Sequence, residues 1–571
     1  MTTLLDRRSL LAYFSSLGLT STLFPGVLWA KLQDQPTSEI TLETLRTVAV
    51  VAGVTFTDQQ LQGMLKGVRQ NVAHNRELQL RSLQLDNRVA PPLYFNPLVP
   101  GAHIDRTKRP FRPSKPPQVT RPSNLEDVAF WSVTQLSELI RTRKVRSIEL
   151  TDMYLDRLKR YNPKLKCVVT LTEDLARRQA NIADTEIKAG DYRGPLHGIP
   201  WGVKDLCSVK GYPTTWGAAP FKDRVIDEDA TVVSRLNAAG AVLVAKLATG
   251  ELALDDLWFE GQTMNPWDLT MGSQGSSAGP GSATAAGLVG FSIGTETGGS
   301  ILEPSGICGV TGLRPTFGRV SRHGAMALSW SLDKIGPMCR SVEDCALVLA
   351  AIQGPDNLDL AAVDVPFNWD GALDIRKLRV GYLKAAFSDT RQTPQTNAND
   401  AAALEKVRSL GINLVEIDLP EHAKLDITPI IYAEANSALR DPVETRPAGL
   451  VRQDRVTQQN TFLFYTAAQY FDANRVRTLL MQEMAHVLAD IDVYLVPFDY
   501  GDYTPNPVAN MNTAMTNLTG HPAVIMPNGF NEKGNPTSLT FVGQLFGEDK
   551  MLALAKAYQD STDWHLKHPK L

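Results

Sequence analysis

Two Gly- and Ser-rich stretches, "GSQGSSAGPGSATAAG" at 272–287 and "TETGGSILEPS" at 295–305, lie close together in the middle of this chain. A flexible linker would be polar over its length and would join two independent halves. Here the segment "ATAAGLVGFSIG" at 283–294 is apolar, and so is "CGVTGLRP" at 308–315. Because such segments are usually buried, we predict that these glycines lie in the core, where the backbone can closely approach a reacting atom.

The composition is that of a globular protein with a substantial core. The chain has 571 residues, of which 43% are hydrophobic and 21% charged, and its formal net charge is −3. No basic face of the kind that binds nucleic acid is evident, so no nucleic-acid partner is expected. The five cysteines form no CxxC pair, and there is no HExxH motif. Neither a metal nor a cofactor is expected.

Residues 1–30 are predicted to be an address signal rather than part of the fold. Arg7 and Arg8 precede a moderately apolar stretch from Leu10 to Ala30, which resembles a bacterial twin-arginine export signal. Several Ser and Thr residues interrupt that stretch, so a stable membrane span is not expected. The prediction is export to the periplasm. A membrane anchor or an ordinary N-terminal helix of a cytoplasmic protein remains the alternative.

The rest of the chain divides into three predicted parts. Residues 31–88 are expected to form a small N-terminal helical module. Residues 89–124 contain nine prolines and are expected to form an extended connection. The main domain is placed at 125–571. Short apolar runs alternate there with helical patterns, as in "AVLVAK" at 241–246 and "DVYLVP" at 492–497. This alternation predicts an α/β fold with a sheet covered by helices on both faces.

One local motif suggests a serine hydrolase of a different kind. The sequence "GSSAG" at 275–279 matches GxSxG, which would make Ser277 the nucleophile of an α/β-hydrolase. That motif requires a buried strand directly before the serine. The preceding segment, "NPWDLTMGSQ" at 265–274, has the pattern of a loop. We therefore set the α/β-hydrolase interpretation aside.

Several long motifs occur together in a characteristic order. They are "GPLHGIPWGVKDL" at 194–206, "GSSAGPGSA" at 275–283, "GTETGGSILEPSGICGVTGLRPTFGRVSRHG" at 294–324 and "WSLDKIGPMCRSVEDCALVL" at 330–349. In this order they resemble the amidase signature family, from about residue 125 to the end of the chain. The resemblance implies a large mixed β-sheet core and a Ser–cisSer–Lys catalytic triad.

The resemblance also assigns roles to individual residues. By position, Ser300 would be the nucleophile, Ser276 the bridging serine preceded by a cis peptide bond, and Lys204 the base, with Ser277 in support. The oxyanion hole would be formed by the backbone N–H groups of Thr297, Gly298, Gly299 and Ser300. A lysine accepts a proton only when it is neutral, so its pKa must fall by about three units, to near 7. Burial after the apolar turn at 198–203 can supply that shift.

Several positions depart from the family pattern. Residues 274–279 read "QGSSAG" where the family has "GGSSGG", and Pro280 and Gly281 are an insertion relative to the usual spacing. Leu302 stands where the family typically has arginine, Glu303 follows it, and Glu296 replaces an aspartate. Because of these changes, the resemblance does not predict the electrostatics of the site or its substrate preference. The expected function is still hydrolysis of the C–N bond of a small-molecule carboxamide through an acyl-enzyme.

Two other functions remain open. One is an amidotransferase A-type subunit, which hydrolyses glutamine for tRNA amidation. The other is a catalytically silent binding relative. A homodimer is compatible with the resemblance, but the sequence holds no evidence for it.

Overall fold

The computed structural model describes residues 40–51, 57–59, 61–63, 65, 95–102, 104–389, 391–424, 428–439, 448–452, 467–501 and 505–571. The predicted export signal at 1–30 lies outside the described residues. So does most of the predicted helical module at 31–88, apart from a helix at Leu42–Val51.

The chain forms two units. One contains the described parts of Met1–Ala90, Asp426–Arg446 and Gln453–Thr478, and the other contains Pro91–Leu425, Pro447–Arg452 and Leu479–Leu571. Every residue assigned to the candidate site belongs to the second, larger unit. The domain boundaries predicted at 88 and 125 stay predictions.

The strands, in chain order, are β1 Val168–Leu171, β2 Pro200–Lys204, β3 Val242–Leu247, β4 Leu257–Trp258, β5 Gly261–Gln262, β6 Met264–Asn265, β7 Asp268–Gly272, β8 Phe291–Glu296, β9 Thr311–Arg314, β10 Lys334–Cys339, β11 Val380–Leu383, β12 Leu414–Ile417, β13 Val493–Pro497, β14 Ala523–Phe530 and β15 Pro536–Gly543. In the part of the chain that the structure describes, eleven of them form one sheet in the order β1-β3-β2-β8-β10-β9-β14-β15-β13-β11-β12.

The α-helices are α1 Leu42–Val51, α2 Val133–Arg141, α3 Ser147–Leu165, α4 Glu173–Ala189, α5 Thr231–Ala238, α6 Ala278–Ala285, α7 Leu302–Cys308, α8 Val342–Ile352, α9 Lys384–Phe387, α10 Pro394–Ser409, α11 Thr428–Ala438, α12 Ala467–Val487, α13 Pro507–Thr519 and α14 Glu548–Asp560. Short 3-10 helices lie at Leu125–Val128, Ala219–Phe221, Glu251–Ala253, Ile375–Lys377, Glu421–Lys424 and Trp564–Leu566.

The large sheet is mixed, and its central strands are buried on both faces. β2 runs parallel to β3 and β8, whereas β8 pairs antiparallel with β10. Every residue of β2, β3 and β10 is buried, which requires cover on both faces of the sheet. The predicted fold class, an α/β protein with a large mixed sheet covered by helices on both faces, is confirmed.

Local sequence signals match the observed elements in most places. The run at 241–246 forms β3, the run at 492–497 forms β13, and Ser132 with Gln135 forms the capping box of α2. One expectation was wrong. The segment at 265–274 is not simply a loop, because β6 and β7 pair in it as a small separate ribbon. β7 is buried only at its last residue, Gly272, and lies outside the large sheet, so the buried strand that a nucleophile elbow needs is not present there.

Two kinds of feature are absent from the described residues. None of their helices combines the length and the apolar character needed to cross a bilayer. They also contain no group of three or more His, Cys, Asp or Glu side chains placed to hold a metal ion.

Candidate active site

Lys204 is the last residue of β2, and its side chain is completely buried. Its Nζ lies 2.9 Å from Ser276 Oγ, 3.0 Å from Ser277 Oγ and 2.9 Å from Thr295 Oγ1. The lysine therefore joins the first Gly/Ser-rich stretch to the end of β8, where the second stretch begins. The structure brings Lys204, Ser276 and Ser277 into contact.

The electrostatic state of Lys204 follows from its burial. Loss of water disfavours the charged ammonium and lowers the pKa of Lys204 to about 7, although Cys207, Asp333 and Glu296 act in the opposite direction. At neutral pH a large fraction of this amine is therefore uncharged. An uncharged amine beside a hydroxyl can accept its proton, which is the property that a base requires.

The segment before α6 places the two serines against this amine. The Gly275–Ser276 peptide bond is cis. A side chain at Gly275 would clash with the backbone carbonyl of Asp255, so only glycine fits there. The backbone N–H of Ser277 donates to the carbonyl of Ser300 at 3.1 Å. The two Gly/Ser-rich stretches are thus in direct contact, and they lie side by side in the core.

Residues 297–300 form the turn between β8 and α7. Thr297 is buried and its hydroxyl donates to Asp333 at 2.6 Å, which anchors the turn. Gly299 has a φ of +144°, a conformation that L side chains rarely adopt. Gly298 does not share this positive φ.

The polar groups of this turn are available to a ligand. The four backbone N–H groups of residues 297–300 donate to no acceptor within the described part of the chain. Gly298 and Ser300 are partly exposed. The Ser300 hydroxyl also makes no hydrogen bond with a described residue, so the structure does not connect Ser276 to Ser300 through their hydroxyl groups. Unpaired N–H groups beside a serine are the kind of donor that an oxyanion requires.

Glu296 braces the turn from within the core. Its Oε2 accepts the backbone N–H groups of Ile301 at 2.8 Å and Leu302 at 3.0 Å, at the start of α7. Its Oε1 accepts hydrogen bonds from Arg314 at 2.8 Å and Asn517 at 3.0 Å. Burial alone would raise the pKa of Glu296. Arg314 and Lys334 outweigh that effect and hold its pKa below the usual value.

Sequence reasoning missed these bracing residues as functional. Arg314 and Lys334 lie in motifs that carried the family resemblance, and Asn517 begins another late segment, "NLTGHPAVIMPNGF" at 517–530. Thr295 and Asp333 also lie in quoted motifs. Each of these residues could therefore have been noticed, because it lies in a motif of the resemblance. The sequence does not show which of them form hydrogen bonds with residues about 200 positions away.

A family model and curated relatives match most of this chain. Residues 149–552 match the family model Amidase. A protein from Roseiflexus castenholzii, named as the A subunit of glutamyl-tRNA(Gln) amidotransferase, is 38% identical over 483 residues, covering 77% of this chain and 97% of the relative. The protein of the same name from Methylococcus capsulatus is 34% identical, covering 77% of this chain and 98% of that relative.

Solved structures with similar folds carry other names. The native peptide amidase from Stenotrophomonas maltophilia superposes with a TM-score of 0.67 at 30% identity, covering 76% of this chain and 97% of the amidase. A structure described as a vestigial protein complex that reveals the evolutionary origins of an s-triazine catabolic enzyme gives a TM-score of 0.69 at 27% identity. It covers 77% of this chain and all of that one.

Proposed function

This chain belongs to the amidase signature family, and from that premise we propose that it hydrolyses the C–N bond of a small-molecule carboxamide through Ser300, Ser276 and Lys204. The observation that carries the proposal is the contact of 2.9 Å between Ser276 Oγ and the buried, readily neutralised amine of Lys204. A surface lysine would stay charged at neutral pH and could not act as a base.

The proposed reaction proceeds in two stages. Lys204 accepts the proton of Ser276 while Ser276 accepts that of Ser300, and Ser300 Oγ attacks the amide carbon. The oxyanion is stabilised by the N–H groups of residues 297–300. Return of the proton to the departing nitrogen releases ammonia or an amine and leaves an acyl-enzyme, which water then hydrolyses. Because catalytic hydrogen bonds often tighten only with substrate bound, we propose that the hydroxyls of Ser276 and Ser300 meet at that stage.

The second candidate is an amidotransferase A-type subunit. The names of the curated relatives favour the amidotransferase subunit. The peptide amidase among the structural neighbours favours a free-standing amidase. Both functions share the hydrolysis of a carboxamide. Ammonia release from glutamine and from simple amides by the isolated chain would support the amidase, whereas release only with added partner subunits would support the amidotransferase. Export through Arg7 and Arg8, which stays a prediction, would argue against a cytosolic tRNA-dependent assembly.

A fluorophosphonate tests the activated serine without knowledge of the substrate. We expect one covalent adduct on the wild type by intact-mass analysis, none on Ser300→Ala, and labelling slowed by at least about 100-fold in Lys204→Ala. Ser388→Ala, at an exposed serine, is the control and should label like the wild type. No adduct on folded wild type would favour the silent relative. Labelling that persists in Ser300→Ala would show that a different serine is the nucleophile.

A further inference from the structure

Glu303 lies in the first turn of α7, three residues after Ser300. Its backbone N–H donates to the carbonyl of Gly299 at 2.8 Å. Its side chain folds back over the same glycine. A methyl group added to Gly299 would clash with Glu303 Oε1 and would lie 2.8 Å from its Cδ. The carboxyl group therefore packs directly on the residue that precedes the proposed nucleophile.

The fold does not use this carboxyl group. It forms no hydrogen bond and no ion pair with any residue that the structure describes. Glu296, at the end of β8, shows the contrast, because its carboxylate accepts four hydrogen bonds. Glu303 is nevertheless partly exposed, like Gly298 and Ser300 beside it. A ligand at the serine can therefore reach it.

The surroundings of Glu303 are acidic. Limited contact with water, together with the negative charges of Glu296, Asp255 and Asp499, raises the pKa of Glu303 to about 8. Asp499 accepts backbone N–H groups from its own loop, at 3.1 Å from Gly501 and 2.7 Å from Asn506. A positive charge placed here would be attracted by the ionised carboxylate of Glu303.

The cations closest to these acids are already engaged. Arg314 pairs with Glu296 at 2.8 Å, and Arg452 pairs with Asp255 at 2.7 Å. No comparable cation pairs with Glu303 in the described part of the chain. Glu303, whose carboxyl group packs on the residue before the proposed nucleophile, thus has unused capacity to bind a cation.

We propose that Glu303 is a specificity-determining residue that binds a protonated amino group of the substrate, a few bonds from the scissile carbonyl. The enzyme would therefore prefer amides that carry an alkylammonium group over neutral amides of the same shape. This inference rests on the proposed function. Its physical basis is a charge-assisted hydrogen bond, which is about twice as strong as a neutral one.

Two pairs of substrates of matched shape test the preference. 4-Aminobutanamide and pentanamide differ by an ammonium in place of a methyl group on the acyl side. N-(3-aminopropyl)acetamide and N-butylacetamide differ in the same way on the leaving side. At pH 9 an alkylammonium with the ordinary pKa of about 10.4 is still mostly charged. A carboxyl group with a pKa of about 8, as in Glu303, is mostly ionised at the same pH. In at least one pair, we expect the wild type to favour the cationic amide by about 10- to 100-fold in kcat/KM.

Glu303→Gln keeps the size of the side chain and removes its charge. We expect this variant to lose most of the preference, because its kcat/KM falls far more for the cationic substrate than for the neutral partner. Glu260→Gln, at an exposed glutamate, is the matched control and should keep the wild-type ratio.

Failure of this inference is distinguishable from failure of the proposed function. The role of Glu303 is overturned if the wild type hydrolyses both pairs with no preference for the cationic amide. It is also overturned if Glu303→Gln keeps that preference. Neither result contradicts the proposed amidase activity. If fluorophosphonate labels neither wild type nor Glu303→Gln and neither hydrolyses any of the four amides, the proposed function falls, and this inference falls with it.

Discussion

At the scale of single residues, Lys204 is the proposed base, and we expect it to set the pH dependence of the proposed reaction. Burial lowers its pKa to about 7, and only the neutral amine can accept a proton. We therefore expect kcat/KM to rise as the pH increases through about 7 and to level off above it. The measurement is a pH–rate profile between pH 5 and 9 on a neutral amide. Because Glu303 also titrates, near pH 8, Glu303→Gln is the control and should keep the rise near pH 7. A profile that is flat from pH 5 to 9 would contradict a lysine base.

The sequence predicted the residue types of the site better than their contacts. The need for a lysine with a pKa near 7 followed from the chemistry, and the buried Lys204 meets it. The contact of Ser276 with Lys204 was also expected. The hydrogen bonds of Thr295 and the bracing by Glu296 were not, because they depend on side-chain packing between segments that are distant in the chain. Glu296, which departs from the family pattern, proves to be a well-bonded carboxylate.

At the scale of secondary-structure elements, Glu296 couples the end of β8 to the start of α7. Glu296→Gln keeps the shape but leaves the buried Arg314 without its counter-charge. We expect this variant to lose about 3 kcal/mol or more of unfolding free energy, measured by urea denaturation at pH 7. Glu405→Gln breaks the exposed pair with Arg408 and should cost less than about 1 kcal/mol.

The sign of the pH effect checks the cause of that loss. The pKa of Glu296 is lowered in the folded chain, so its stabilising contribution is present above the pKa of the unfolded chain and fades as the pH falls below it. The difference between wild type and Glu296→Gln should therefore shrink on acidification. A loss that is equal at all pH values would indicate a packing defect instead of a lost charge.

Elements with a strong pattern in their own sequence could be predicted, whereas elements that depend on contacts with other segments could not. The capping box of α2 depends only on Ser132 and Gln135, which are three residues apart in the sequence. β6 has only two residues, and β7 is exposed at two of its five residues, so the ribbon lacks the apolar pattern that identifies a buried strand.

At the scale of the whole molecule, buried charges connect segments that are far apart in the chain. Arg319 pairs with Glu548 at 2.7 Å, and Asp344 of α8 accepts the backbone N–H groups of Val133 and Thr134 at the start of α2. Likewise β2 lies between β3 and β8, an order that no local pattern specifies. The α/β class could be derived from alternating elements, whereas the strand order required the family resemblance or the structure itself.

Because the folded chain favours the neutral form of Lys204, proton binding by this lysine favours the unfolded chain. In an unfolded chain the same lysine would have an ordinary pKa, near 10.5, so between pH 7 and that value unfolding takes up a proton. Raising the pH therefore stabilises the folded chain by about 1.4 kcal/mol per pH unit through this one residue. The gain should be measurable as the difference in urea unfolding free energy between wild type and Lys204→Met from pH 7 to 10. A difference that does not change with pH would mean that the folded lysine is charged.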